Sequence, residues 1–464
     1  MGVVALCASL GSGSVFDRGH GEWSAPRVPH SLPARATPQA RWMVCALVFL
    51  AALAILPYVR AVSLPLISDD YDQINKGRLY GPVSGWLALL GDPLYRCRAT
   101  SLLVTHWAER LFGIQPLAFN LTSLLMHVFN TWLVFALGVW PRIGWRVAAV
   151  AAAFFAIYHG HQEAVTWYAA LPELVVFFFT VSGLICWICW LRRPAVSSLC
   201  YLATLACFLL ALASKESAVA LVPALFLALY AEREDWRRRL VTLVPFAGLA
   251  FAYFVLVYAS RAEHLFFHDG TFSLEAPFLI VLARSSARLF WIWGLASLVL
   301  IIVSGAERWR RVLLVALAWV VIGLLPYSFL TYMPQVPSRH TYLASVGLSL
   351  VVAAGFHGLA GKVWQLRPWL VWFLAGVMLI HNCGYVWTKK HAQMLKRAAP
   401  TEELVELASR THEGIYLECF PYSPEIAVLA VEMRTPRPPG TVAWEPAGQK
   451  PENHYVHFCW AEKP

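Results

Sequence analysis

The chain has 464 residues, of which 59% are hydrophobic and 14% are charged. Soluble domains are about half apolar and about a quarter charged, so this composition excludes an ordinary soluble protein and indicates a polytopic membrane protein. The net charge is +10. Because the Lys and Arg residues concentrate in alternate loops and form no basic stripe, we expect no nucleic-acid partner.

The N-terminal part differs in composition from the rest of the chain. Residues 1–41 contain Gly, Ser, Pro and scattered Arg without a periodic pattern, which predicts a disordered cytoplasmic leader. An equally weighted alternative is a misassigned start codon. From residue 42 to residue 388 the chain alternates apolar runs with short polar loops, and about 20 apolar residues suffice for one transmembrane helix. We predict about eleven spans, at 42–62, 116–138, 145–158, 172–190, 196–213, 217–231, 240–259, 280–303, 312–332, 342–360 and 368–387.

The basic residues set the expected orientation of these spans. Cytoplasmic loops carry an excess of Lys and Arg, and one set of short loops is rich in arginine. Its basic residues are Arg142, Arg146, Arg192, Arg193, Arg233, Arg237, Arg238, Arg239, Arg308, Arg310, Arg311, Lys362 and Arg367. The other set comprises 63–115, 159–171, the turn at 215–216, 260–279, 333–341 and the tail. We therefore expect this second set to face a periplasm or a lumen.

The first external loop opens with two adjacent carboxylates, Asp69 and Asp70. Each negative charge disfavours ionisation of the other, and partial desolvation adds to the effect, so either residue could serve as a general base. An equally weighted alternative is that the pair only begins a helix in a solvated loop. Further along this loop, the apolar run 83–90 and the amphipathic run 100–112 predict helices that lie along the membrane interface.

The second predicted span carries polar residues on one helical face. They are Asn120, Ser123, His127, Asn130 and Thr131. Polar groups inside a membrane are costly and turn toward the interior of the bundle. We favour hydrogen bonds to neighbouring helices over direct catalysis as their role.

The second external loop contains His161 and Glu163. A His-x-His pair at 159 and 161 with Glu163 nearby could ligate a metal, but the spacing names no third firm ligand. Cys186-x-x-Cys189 lies in the middle of an apolar span without charged neighbours, and a metal or redox role is disfavoured there. We therefore assign no residues to a metal site. A divalent cation is the one cofactor that the sequence leaves undecided.

Cationic groups recur in the remaining external loops. Lys215 and Glu216 form one turn, and Arg339, His340 and Tyr342 lie together in a later loop. Lys and Arg bind phosphate, Lys as a point charge and Arg through two parallel hydrogen bonds. The alternatives are that Lys215 and Glu216 pair with each other and that the arginine snorkels to lipid headgroups. Arg261, His264 and His268 supply further cations in the loop 260–279.

The tail from residue 389 to residue 464 is predicted to be a small external α+β domain. We expect it to start with a helix up to about residue 410, and the apolar runs 415–420 and 426–431 resemble strands. Cys419 and Cys459 are the only cysteines in this part of the chain. A disulfide between them is plausible in an oxidising compartment.

Taken in order, these motifs resemble the GT-C superfamily of polyprenyl-phosphate-sugar glycosyltransferases, closest to the protein O-mannosyltransferase-like branch and the tetratricopeptide-repeat O-mannosyltransferase-like branch. The resemblance covers roughly residues 42 to 390. It rests on Asp69-Asp70, Phe119-Asn120, His127, Asn130, His161-x-Glu163-x-x-x-Trp167, Lys215-Glu216 and Ser338-Arg339-x-x-Tyr342. Residues 169–172, Ala-Ala-Leu-Pro, depart from the polar residues common there, and the tetratricopeptide repeats are absent.

The resemblance implies an inverting transfer of a hexose from a dolichol- or undecaprenyl-phosphate carrier to a hydroxyl of a protein, lipid or glycan. Asp69 or Asp70 would be the base, Lys215 and Arg339 would hold the donor phosphate, and His161 and Glu163 would shape the site. We expect a bacterial inner-membrane protein whose active face is periplasmic.

Two other classes of protein stay open at this stage. A secondary transporter also has many spans, but it places charged or helix-breaking pairs near the bilayer midplane in two similar halves. In this chain the ionisable residues concentrate at the ends of the predicted spans. The second alternative is a catalytically inactive lipid-binding membrane protein with the same architecture.

Overall fold

The computed structural model describes residues 38–192, 197–331, 333–364, 367–444 and 455–461. Residues 1–37 of the predicted leader and Arg193 lie outside these described residues. Twenty α-helices and three strands occur in the described part of the chain. They are α1 Pro38–Ile55, α2 Asp70–Tyr80, α3 Trp86–Gly91, α4 Ala99–Phe112, α5 Pro116–Ala136, α6 Gly144–Ile157, α7 Gln162–Thr166, α8 Leu171–Arg192, α9 Ser197–Leu212, α10 Leu221–Glu232, α11 Trp236–Arg239, α12 Val244–Ala259, α13 Leu265–His268, α14 Phe278–Phe290, α15 Trp293–Ser304, α16 Arg310–Leu324, α17 Ser345–Val363, α18 Pro368–Tyr385, α19 His391–Arg410, α20 Pro424–Arg434, β1 Gly414–Cys419, β2 Val442–Ala443 and β3 Tyr455–Cys459.

The chain is an all-α multi-pass membrane protein, as the apolar runs predict. Among the described residues, seven helices are long and apolar enough to cross a membrane, and the pair α14 and α15, bent by 76° at its break, makes an eighth. The other three predicted spans coincide with the shorter helices α6, α9 and α10. All eleven apolar segments are therefore helical, but fewer than eleven reach full membrane length.

Helix α8 lies at the centre of the bundle. Of the apolar window in its span, 83% is buried within the protein, against 11% for the span that contains α12. A helix that is hydrophobic all round is buried on every side, and α8 is apolar on most of its circumference, with Glu173, Thr180, Ser182 and Arg192 as its polar residues. α9 packs along α8, and α17 packs against α6, α15 and α16.

The polar face of α5 joins neighbouring helices, as we favoured from the sequence. His127 Nδ1 lies 2.7 Å from the Tyr342 hydroxyl, and its Nε2 lies 3.1 Å from the carbonyl oxygen of Ala156. Asn130 donates to the carbonyl oxygen of Leu174 over 3.0 Å. These bonds satisfy both ring nitrogens of His127 and the amide nitrogen of Asn130, groups that would be costly inside a membrane, while Asn130 Oδ1 and Ser123 Oγ have no partner among the described residues.

The loop 63–115, which the sequence predicts to be external, folds as three helices, α2, α3 and α4. Helices α3 and α4 fall where the sequence predicts interfacial helices, and they expose large apolar side chains such as Leu87 and Leu111. Arg78 of α2 pairs with Glu109 of α4 at 2.5 Å, and Gln73 Nε2 donates to Thr105 Oγ1 over 3.3 Å. The loop is therefore a packed structure that presents α2 to the rest of the protein.

The tail forms the expected small appendage, with one correction. Its three strands form a parallel sheet in the order β2-β1-β3, and a Cys419–Cys459 disulfide joins β1 to β3, as predicted. The run 426–431, however, is helical within α20 and not a strand. Pro424 stands in the first turn, where proline favours a helix, and the buried residues Ile426, Ala427, Ala430 and Val431 follow helical spacing. α20 packs against α2 of the first loop.

Candidate active site

A cavity of about 920 Å³ collects side chains from the loops predicted to be external. The lining residues come from the first loop, the loop around Trp167, the turn at 215–217, the loop 260–279, the segment around Arg339 and the tail, together with the adjoining span ends. Five of the residues proposed from the sequence line it: Asp69, Lys215, Glu216, Arg339 and His340. Asp70, His161, Glu163 and Tyr342 are not among the lining residues.

The two adjacent carboxylates have different surroundings. Asp69 is exposed and lines the cavity. Asp70 is buried, and its two oxygens accept hydrogen bonds from the backbone amides of Ile67 at 2.8 Å and Ala169 at 2.7 Å. The turn before them is tight, because Ser68 has a φ of 43°, in the left-handed region that few non-glycine residues adopt. Burial raises the pKa of Asp70 to about 7, and the two amide bonds only partly oppose this rise.

Glu173 is a buried carboxylate near the start of α8 that contacts three side chains of the cavity wall. Its Oε1 lies 2.5 Å from Lys215 Nζ and 2.5 Å from His340 Nδ1, and its Oε2 accepts a hydrogen bond from the Tyr327 hydroxyl over 2.5 Å. The rings of Tyr327 and His340 stack at 4.4 Å. Burial, followed by the charge of Lys215, lowers the pKa of His340 to about 4, so this imidazole is neutral near pH 7.

A second charged group surrounds Trp167. Glu163 Oε1 lies 2.8 Å from Arg339 Nη1 and 3.9 Å from Arg397 Nη1, while Ser338 Oγ donates to Glu163 Oε2 over 2.8 Å. The guanidinium carbons of Arg339 and Arg397 lie 4.9 and 4.4 Å from the ring centroid of Trp167. Burial raises the pKa of Glu163, but the charge of Arg339 and the hydrogen bonds from Ser338 and the Arg339 amide outweigh it, and the net pKa falls.

The remaining predicted site residues lie beneath the cavity, in the core. His161 is buried, with its Nε2 2.6 Å from Ser345 Oγ and its ring 4.5 Å from that of Tyr342. The neighbouring His159 bonds a different partner, Asn382, at 2.7 Å. Among the described residues no three His, Cys, Asp or Glu side chains come together in a way that could hold a metal ion.

Two side chains of this region were missed by the sequence analysis. Glu173 is a lone carboxylate at the start of an apolar span, a pattern that by itself indicates a function or a buried partner. Arg397 lies in the tail helix α19 and reaches Trp167 only in the folded protein. No local sequence pattern predicts the contact between Arg397 and Trp167.

The multi-pass bundle, the helical loop 63–115 and the small C-terminal appendage define the fold of the protein. The chain has a GT-C-like fold. No protein-family model matches the sequence, and a search of curated proteins finds no match. The fold assignment therefore rests on solved structures.

Two of these similar structures come from a bacterium and an archaeon. ArnT of Cupriavidus metallidurans, solved bound to undecaprenyl phosphate, matches with a TM-score of 0.51 and 14% identity over 85% of this chain and 86% of that chain. The archaeal oligosaccharyltransferase AglB of Archaeoglobus fulgidus, solved with an inhibitory peptide and a dolichol-phosphate, matches with a TM-score of 0.54 and 11% identity over 86% of this chain. The match covers 65% of the length of that archaeal chain.

Proposed function

We propose that this protein is a membrane glycosyltransferase that moves a hexose from a polyprenyl-phosphate carrier to an acceptor hydroxyl. The observation that carries the proposal is that Asp69, Lys215 and Arg339, which lie far apart in the sequence, line one cavity. The GT-C fold supports it, since the similar ArnT and AglB structures hold undecaprenyl phosphate and a dolichol-phosphate.

Asp69 is the proposed general base. A base must reach the proton that it removes, and Asp69 is exposed at the cavity. Asp70 is less suited to the role, because both of its oxygens accept backbone hydrogen bonds in a buried position. We assign Asp70 to positioning: it ties the first loop to Ala169 and so fixes the turn that presents Asp69.

The donor phosphate is proposed to bind near Arg339. The charge of Lys215 is offset by Glu173 at 2.5 Å, whereas Arg339 and Arg397 together exceed the single negative charge of Glu163 by one. An anion is therefore attracted most strongly to the guanidinium pair beside Trp167. Arg suits a phosphate because its planar group can donate two parallel hydrogen bonds. Lys215 would contribute a more distant charge. The neutral His340 donates its Nδ1–H to Glu173, so its Nε2 is only an acceptor and adds no hydrogen bond to the phosphate.

The reaction follows from this placement. The acceptor hydroxyl oxygen attacks the anomeric carbon and forms the new glycosidic bond, while its proton passes to the Asp69 carboxylate. The bond from the anomeric carbon to the phosphate oxygen breaks, and the polyprenyl phosphate leaves with the bonding electrons. Arg339 and Arg397 stabilise the second negative charge that this phosphate gains. Attack from the face opposite the phosphate inverts the anomeric configuration.

The cellular setting belongs to the same proposal. We place the protein in a bacterial inner membrane, with the cavity on the periplasmic side, because the lining comes from the loops that the sequence predicts to be external. Residues 42–388 would form the catalytic part and residues 389–464 a covering domain. The O-mannosyltransferase-like branch remains the proposed subgroup, with a protein, lipid or glycan as acceptor.

Mass spectrometry of glycans and glycoproteins tests this function. A strain that lacks the gene should lose a hexose increment from one glycoconjugate, and the wild-type gene should restore it. Asp69→Asn should fail to restore it at equal expression, because the acceptor proton then has no base. Glu275→Gln, which removes an exposed carboxylate from another loop, is the matched control and should restore it. Identical glycoconjugates with and without the gene would refute the proposal.

A further inference from the structure

A second polar group, formed by Arg98, Glu216 and His264, lies in the cavity wall outside the proposed base and phosphate site. All three residues line the cavity. They come from the first external loop, from the turn before α10 and from the loop after α12. The reaction proposed above uses none of them.

The fold brings these three segments together through specific bonds. The Thr100 amide donates to the carbonyl oxygen of Ala213 over 3.0 Å, and Thr100 Oγ1 lies 2.6 Å from Ser214 Oγ. These contacts hold the segment that carries Arg98 against the turn that carries Glu216. Arg96 donates to the carbonyl oxygen of Leu256 over 3.1 Å and also to Ser260 Oγ, which holds the loop before His264 in the same place.

Aromatic rings surround the group. The guanidinium carbon of Arg98 lies 5.6 Å from the ring centroid of Tyr95 and 5.9 Å from that of Phe266. The His264 ring lies 5.8 Å from the Phe266 ring. Tyr253 lines the cavity as well. The group therefore combines charged side chains with apolar ring faces.

Several buried polar atoms of the group have no hydrogen-bond partner among the described residues. They are both ring nitrogens of His264, Oε1 of Glu216 and Nε of Arg98. The His264 residue is only 2% exposed. A buried polar atom without a partner costs about 1–3 kcal/mol, and such atoms in a native cavity require an explanation. A bound ligand that hydrogen-bonds to them would supply it.

The chemistry of the three side chains restricts that ligand. Arg98 donates hydrogen bonds, Glu216 accepts them, and a neutral imidazole does both. Burial lowers the pKa of His264, although the charge of Glu216 opposes this, so the ring is neutral near pH 7. A second anion is disfavoured by the Glu216 carboxylate, whereas neighbouring hydroxyls both donate and accept. The rings of Tyr95, Phe266 and Tyr253 suit the apolar face of a pyranose.

We infer that Arg98, Glu216 and His264 form the subsite that binds the hydroxyl groups of the donor sugar. The inference rests on the proposed function, which supplies a sugar linked to a carrier phosphate. The subsite and the Arg339 site belong to one cavity, so the same donor molecule would contact both. The subsite, and not the phosphate site, would then select the sugar.

Binding measurements on the purified chain separate the two sites. The probes are undecaprenyl phosphate and undecaprenyl-phosphate-linked mannose, glucose and galactose. We expect the wild type to bind at least one of the sugar-linked probes more tightly than the bare carrier. Glu216→Gln and His264→Phe should each weaken that probe about tenfold or more and leave the affinity for undecaprenyl phosphate within about twofold. Glu263→Gln and His412→Gln, both at exposed positions, are the matched controls and should change neither affinity.

Each contrary outcome has a distinct meaning. If the wild type binds every sugar-linked probe no more tightly than the carrier, or if the two variants lose no selectivity, the subsite is wrong while carrier binding still supports the proposed function. If the wild type binds none of the probes, the proposed function fails and the subsite fails with it. Retained binding of undecaprenyl phosphate shows that a variant is folded. If a variant loses undecaprenyl-phosphate binding, Glu216→Asp is measured instead. It must weaken binding of the sugar-linked probe and leave binding of undecaprenyl phosphate unchanged, or the inference is overturned.

Discussion

Lys215 Nζ lies 2.5 Å from Glu173 Oε1, and His340 Nδ1 contacts the same oxygen at 2.5 Å. A carboxylate at the start of the central helix therefore holds two side chains of the cavity wall in place. Because Glu173 is buried and Lys215 nearly so, the pair is shielded from water, and each partner depends on the other for its charge to be tolerated.

Removing one partner of this pair should destabilise the protein. Glu173→Gln leaves the buried Lys215 ammonium without its counter-charge, and breaking such a pair costs about 3–5 kcal/mol. The double variant Glu173→Gln with Lys215→Met removes both charges and should be more stable than Glu173→Gln alone. Thermal unfolding in detergent micelles measures both effects. A single variant as stable as the wild type would show that the pair is not buried as described.

The two adjacent carboxylates should separate activity from stability. Asp69→Asn should reduce sugar transfer by about 10²–10⁴-fold, the range for loss of general base catalysis, and leave the unfolding temperature unchanged. Asp70→Asn places an amide group where two backbone amides need acceptors, which costs about 1–3 kcal/mol. The comparison requires transfer rates and unfolding temperatures of both variants. A reversal of the two patterns would assign the base to Asp70.

The stability of the protein should depend on pH because of Asp70. Burial raises the pKa of Asp70 in the folded state from 3.8 to about 7, so between those values the folded protein holds a proton that the unfolded chain releases. The stability from this group is present below about pH 4 and is lost as pH rises through about 7. The advantage of the wild type over Asp70→Asn in unfolding temperature should shrink between these pH values. An advantage that stays constant or grows would contradict the raised pKa.

Arg397 should contribute to carrier binding although it lies in the tail. Arg397→Gln removes the positive charge beside Trp167 that Glu163 does not balance. We expect the affinity for undecaprenyl phosphate to fall about tenfold, equivalent to about 1.4 kcal/mol. Arg410→Gln is the matched control. Arg410 lies in the same helix, and its exposed pair with Glu406 is worth little. Equal affinities for the two variants would remove Arg397 from the site.

The architecture was predictable from the sequence because apolar runs and basic loops follow directly from the membrane environment. All eleven apolar segments are helical. Their lengths were less accessible, since apolarity does not distinguish an α-helix from a 3₁₀ turn such as Glu216–Ala220, which precedes α10. The 76° bend between α14 and α15 lies next to Ile292, which has a φ of 62°. Because isoleucine rarely adopts a left-handed backbone conformation, the sequence does not predict this bend.

The candidate site was predictable only in part, and sidedness explains which part. Asp69, Lys215 and Arg339 were proposed because they lie in loops predicted to be on one side of the membrane, and all three line the cavity. Sidedness does not tell which residues of a loop face inward, so His161 and Tyr342 were proposed alongside them although both lie in the core. Their positions depend on packing between helices far apart in the sequence.

A structure of the Asp69→Asn variant with unreacted undecaprenyl-phosphate-linked hexose tests the central claim most directly. The claim is that one cavity holds the carrier phosphate at Arg339 and exposes the anomeric carbon to an acceptor that Asp69 deprotonates. We predict a phosphate oxygen within about 3 Å of the Arg339 guanidinium and an anomeric carbon whose open face is turned toward position 69. A phosphate bound outside this cavity, or an anomeric carbon turned away from position 69, would contradict the account.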